Sequence, residues 1–90
     1  MDLITTATQN ARTWALHART LANRACTDDQ ENALTVTAVQ LDSAAEYLLH
    51  GDTPSARAAL RVADNYADSE EGCAPNLAEA ARTILASLPA

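Results

Sequence analysis

The chain has 90 residues with six Arg, no Lys and twelve Asp or Glu, giving a net charge of −6 at pH 7. That length makes one domain, residues 1–90, with one core that buries roughly 60–65% of the unfolded chain's surface. The six Arg are scattered and form no basic stripe, which disfavours duplex nucleic acid, and no nucleic-acid partner is expected; no apolar run approaches the ~18 residues of a membrane span.

Hydrophobic residues make up 48% of the sequence, but Ala supplies 21 of them and Phe is absent. Leu, Ile and Val fill only 16 positions, so composition alone does not separate a folded chain from a disordered one, and periodicity has to decide. The N-terminus, Met1-Asp2-Leu3-Ile4-Thr5, has neither the basic start nor the apolar run of a secretory signal, and the expected compartment is the cytoplasm. Cys26 and Cys73 are then expected as reduced thiols, buried or idle, since disulfides are rare there and their spacing matches no zinc motif. The exclusive use of Arg points to a GC-rich genome, bacterial or phage.

From residue 3 to 25, Leu3, Ala7, Ala11, Trp14, Ala18, Leu21 and Ala25 recur in steps of four and three, the stripe of an amphipathic helix. Thr5, Thr6 and Thr8 are weak helix formers that let its first turn fray. The pattern stops at Thr27-Asp28-Asp29-Gln30-Glu31, where Thr27 with Gln30, or Asp28 with Glu31, can form a capping box. A second helix over 29–50 carries Leu34, Ala38, Leu41, Ala45 and Leu48 on one face, flanked by Val36, Val39 and Tyr47, with Gly51 as its left-handed stop. Thr53 as N-cap and Pro54 as first helical residue open a third helix, 54–69, striped by Ala56, Leu60, Ala63 and Ala67. Gly72 ends it after the acidic Asp68-Ser69-Glu70-Glu71. Asn76 and Glu79 then stand in capping-box register for a fourth helix, 77–88, striped by Leu77, Ala81, Ile84 and Leu88.

No strand-like alternation or hairpin turn interrupts these segments. The expected fold is therefore all-α, a small bundle of four helices with short connections and antiparallel neighbours. At ~1.5 Å per residue the first two helices reach roughly 33 Å and the last two roughly 18–24 Å. Either the short pair leaves part of the long hairpin uncovered or a second copy covers it. Ala-rich stripes bury little area per residue, which also favours a homodimer.

The run Ala44-Ala45-Glu46-Tyr47-Leu48-Leu49-His50-Gly51-Asp52, continued by Ala56, Leu60 and Ala63, resembles a tetratricopeptide repeat within residues 37–88. In that family a small residue, an aromatic, a turn Gly, then small, large and small residues recur at the offsets held here by Ala44, Tyr47, Gly51, Ala56, Leu60 and Ala63. Gln40 and Ser43 stand where the family has large apolar residues, Asp68 where Pro is common, and Ala81 where a second aromatic falls. The resemblance implies an interaction scaffold that binds peptide or protein, and no catalysis.

No enzyme is expected, because no nucleophile, base and stabiliser converge. His17, on the polar side of the first helix, resembles the histidine of a phosphotransfer domain, yet Ala18-Arg19-Thr20 differ from the residues usual after that histidine. Asp42-Ser43 resembles the pair that carries the prosthetic arm of acyl carrier proteins, but the stripe puts Ser43 in mid-helix instead of at a helix start. A carrier or phosphotransfer protein is the weakest reading. His17 precedes Cys26 by nine residues, which at ~100° per residue places it across the helix, out of reach as a base. Glu46 and His50, four apart, find no further ligands on the facing stripes, and His50 is expected at the carbonyls that end its helix. Two Gly, each at a helix end, build no phosphate loop. No metal, cofactor or small-molecule substrate is expected.

In an up-down-up-down bundle, the loop after the first helix and the end of the third share a pole. It gathers Asp28, Asp29, Glu31, Asp64, Asp68, Glu70 and Glu71, together with Cys26 and Cys73. Trp14, Tyr47 and Tyr66 are core candidates, and one exposed beside the uncovered hairpin becomes a binding anchor. The expected function is a non-enzymatic protein–protein interaction module, acting through a helical groove or as a homodimer. The alternative is an acidic inhibitor or nucleic-acid mimic that fills a target's basic cleft, encoded by a phage or mobile element.

Overall fold

The computed structural model describes residues 2–89. These form four helices and no strand: α1 Leu3–Asn23, α2 Asp28–Leu49, α3 Thr53–Ala67 and α4 Pro75–Ser87. Each helix packs on the next, and α4 returns to α1, closing a ring with axes of 38 × 18 × 17 Å. Ala7 and Ala11, early in α1, share a cluster with Ala45 and Leu48 late in α2, Ala56 early in α3 and Leu88 just past α4. Ala18 and Ala22, late in α1, share another with Leu34, Ala67 and Leu77. Neighbouring helices therefore run antiparallel, and the all-α bundle is as the sequence implied. No helix among the described residues is long and apolar enough to cross a membrane.

The interior is built mostly from methyl groups, with Leu41, Leu60, Leu77 and Thr37 its largest fully buried side chains. Each buried Leu contributes about 1.5–3 kcal/mol and each Ala much less, so close approach of the helices has to supply the packing. The stripes expected for α2, α3 and α4 are all buried. In α1 the register differs. Leu3 is 61% exposed and Trp14, Leu21 and Ala25 are only partly buried, while Ala7, Thr8, Ala11, Ala15, Ala18 and Ala22 face inward. A row of small residues lets α1 lie close to its neighbours and pushes its bulkier side chains to the seams. Thr8 and Thr37 are tolerated inside because their hydroxyls donate one turn back, to the Ile4 and Ala33 carbonyls, at 2.8 Å each.

The caps refine the expected boundaries. Thr27 caps α2, its hydroxyl accepting the Gln30 N–H at 3.1 Å, while the Gln30 side chain accepts from the Cys26 N–H. This is the expected box with its return bond moved back one residue. At α3 the cap is Asp52, not Thr53: its carboxylate accepts the Ser55 N–H at 3.2 Å, and Thr53 and Pro54 lie inside the helix. At α4 no capping box forms. Ala74 holds the N-cap position without a side-chain bond, because the helix already starts at Pro75, ahead of Asn76. Gly51 ends α2 with φ +77°, and His50 Nδ1 bonds the Glu46 carbonyl at 2.8 Å, both as expected.

Gly72 does not end α3. The helix stops at Ala67, and the left-handed step falls on Cys73, φ +49°. Residues 68–74 take up the mismatch between the long and short pairs. Ala67, Gly72 and Ala74 are buried, and the Ala74 N–H donates to the Ala67 carbonyl at 2.9 Å. It is this loop that lies along the first turns of α2, beside Asp29, Gln30 and Leu34.

Candidate functional site

Antiparallel packing brings the N-terminus of α2 and the 68–74 loop to one pole. Asp28, Asp29 and Glu31 stand in the first turn of α2, where the aligned peptide dipoles favour carboxylates. Asp68, Glu70 and Glu71 join them from the loop, all exposed. Asp64 does not belong to this open group. Arg82 of α4 donates to its carboxylate at 2.8 Å, which balances its charge.

Between α2, α3 and the loop lies a hollow of about 440 Å³, lined by Asp29, Asn32 and Ala33, by Asn65 and Tyr66, and by Ser69 and Glu71. Two features position its loop wall. The Ser69 hydroxyl donates to the Tyr66 carbonyl at 2.6 Å and accepts the Gly72 N–H at 3.0 Å. Gly72 is packed so closely that a Cβ there would run into the Tyr66 carbonyl oxygen. Tyr66 remains 44% exposed within this hollow. Two carboxylates, two carboxamides and a phenol ring make a surface rich in acceptors with one π-face, suited to a cation.

The other aromatic residues fall elsewhere. Trp14 packs against both core clusters and meets His17 edge-on, with ring centroids 5.5 Å apart, so it belongs to the α1 seam. Tyr47 is 40% exposed on the outer side of α2. Cys26 and Cys73 reach the acidic pole as expected, lining a second cavity of about 380 Å³ with His17, Arg24 and Leu34. Both thiols are free, and both are exposed instead of buried, because each sits in a connection beyond a helix end.

Sequence reasoning missed one surface. Leu16 is 66% exposed, Leu49 58% and Val39 48%, and between them Arg12 pairs with Glu46 at 3.4 Å and Arg19 with Asp42. The signal was present in spacing: Arg12, Leu16 and Arg19 share one face of α1, and Val39, Asp42 and Glu46 one face of α2. Ser43 lies on this side too, in mid-helix and partly exposed. Comparison with known proteins gives no match to any family model, curated protein or solved structure.

Proposed function

We propose that the protein is a non-enzymatic interaction module whose docking surface is the hollow around Tyr66, and whose partner presents a basic segment. The observation that carries this is an exposed aromatic ring within a concave surface that also bears Asp29 and Glu71. A tyrosine in that position offers large apolar area at little entropic cost, and covering it is favourable. A guanidinium or ammonium entering the hollow gains a carboxylate partner and a cation–π contact of about 0.5–2 kcal/mol. The net charge of −6 steers such a partner inward. The resemblance of residues 37–88 to a tetratricopeptide hairpin, an interaction scaffold, points the same way.

A second reading, an acidic inhibitor or nucleic-acid mimic, draws on the six open carboxylates at the same pole. It differs in its target, a cleft that otherwise holds a polyanion, and competition with duplex DNA for that target separates the two. Calorimetric titration with a short Arg-containing peptide tests the first. Tyr66→Ala should weaken binding about tenfold with helicity unchanged, and Asp29→Asn with Glu71→Gln should do likewise, whereas Asp2→Asn at the opposite pole should not. A loss in Asp2→Asn like that in the Asp29/Glu71 variant, with Tyr66→Ala binding as the parent does, would mean that the peptide senses only net charge, and the reading would fall.

A further inference from the structure

We infer that the α1/α2 side of the bundle is a self-association face, and that its occupant is a second copy of this chain related by a two-fold axis parallel to the helices. This is independent of the acidic hollow, which lies on the α2/α3 side.

Arg12, Leu16 and Arg19 form a column along α1, and Val39, Asp42 and Glu46 a column along α2. The Arg12–Glu46 and Arg19–Asp42 pairs hold these columns side by side. Leu16 is thereby level with residues 42–46 and projects from the surface, 66% exposed. At that same level α2 carries a depression of about 330 Å³ lined by Arg19, Val39, Asp42, Ser43, Glu46 and Tyr47. One helix offers a knob and the other, at equal height, a hole.

A two-fold axis lying in the plane of this side and along the bundle places α1 of each copy over α2 of the other without changing height. Leu16 of each copy then enters the depression of the other, covering Val39 and Tyr47. Arg12 and Arg19 of each copy face Glu46 and Asp42 of the other, so that charges alternate both within and between copies. A face of one sign would stack like charges under this operation. Here two guanidiniums and two carboxylates cancel, in a protein that is otherwise strongly acidic, and two copies approach on this side without repulsion. With axes of 38 × 18 × 17 Å, one broad side projects about 700 Å², close to the roughly 800 Å² per partner of a stable interface.

Sedimentation equilibrium on the full chain over a concentration series tests this. The expected result is a dimer whose dissociation constant rises about tenfold or more in Leu16→Glu and in Arg12→Glu. Both positions are exposed, so circular dichroism should show unchanged helicity. The double variant Arg12→Glu/Glu46→Arg restores the sign alternation and should recover the dimer. A monomer at every concentration, a dimer that Leu16→Glu leaves intact, or a dimer that is lost only in Tyr66→Ala would each overturn the proposal.

Discussion

The two turns that flank α3 each contain one glycine, placed there by opposite constraints. In the turn 50–52, Gly51 takes φ +77° with open space where a Cβ would point, so the backbone dihedral alone selects it. In the loop 68–74, Gly72 is not left-handed at all. It is walled in, with the Tyr66 carbonyl in the way of any Cβ, the Ala67 carbonyl oxygen 3.2 Å from that position and the Ser69 hydroxyl oxygen 3.3 Å. The left-handed residue of this loop is Cys73. The first turn is specified by its own conformation, the second by what surrounds it. The second also builds one wall of the acidic hollow, through Ser69 and Glu71.

Substituting both glycines sharpens the contrast. Gly72→Ala should cost about 3 kcal/mol in urea denaturation, the upper end for overpacking, because the obstructing atom is backbone. Gly51→Ala should cost about 1–2 kcal/mol, the ordinary penalty of a left-handed Cβ. Equal losses would break the distinction between space and conformation. Cys73→Gly should act in the opposite direction, stabilising by about 0.5 kcal/mol, since removing the left-handed penalty outweighs the added chain entropy; a loss of stability would show that the thiol's contact with the Glu70 carbonyl, 2.7 Å, holds the loop.

The smallest effect concerns the caps at the two poles. Asp2 caps α1 at the same pole as the 50–52 turn, and the hydrogen bond its carboxylate accepts from the Thr5 N–H, 2.7 Å, holds its pKa below the usual 3.8. A carboxyl lowered on folding stabilises the fold above its unfolded pKa and loses that contribution as pH falls through the folded value. The protection of the Thr5 amide, its exchange rate compared with that of an unfolded chain at the same pH, should therefore fall upon acidification below the ordinary carboxylate range. The start of α4, which has no side-chain cap, should not share this response.

Much of the architecture was legible because α2, α3 and α4 gather Leu, Ile and Ala on one face against polar residues on the other. In α1 the contrast fails. Ala7, Ala11, Ala15, Ala18 and Ala22 share one buried face, but Leu3, Trp14 and Leu21 beside it drew the stripe toward themselves, while packing rewarded the row of smallest residues. Asp52 and Thr53 are adjacent capping types, and only the bond to Ser55 distinguishes them. Gly72 was the natural left-handed candidate, because nothing in the local sequence reveals that the Tyr66 carbonyl lies against it. The acidic pole followed from topology, and Asp64 left it because the reach of Arg82 across to α3 depends on how two helices are rotated. Leu16 fell outside the stripe read for α1 and Val39 was read as a flank of the α2 stripe, so neither marked the exposed surface they share.

The methyl-lined interior also governs how this sequence can change across generations. Ala11, Ala15, Ala18, Ala38, Ala44, Ala56 and Ala63 are all 0% exposed. At such positions a larger residue has no room, and the only smaller one, Gly, costs about 1 kcal/mol within a helix. Substitution is therefore easier on the outer faces than at these positions, where packing asks for little more than alanines at the right spacing.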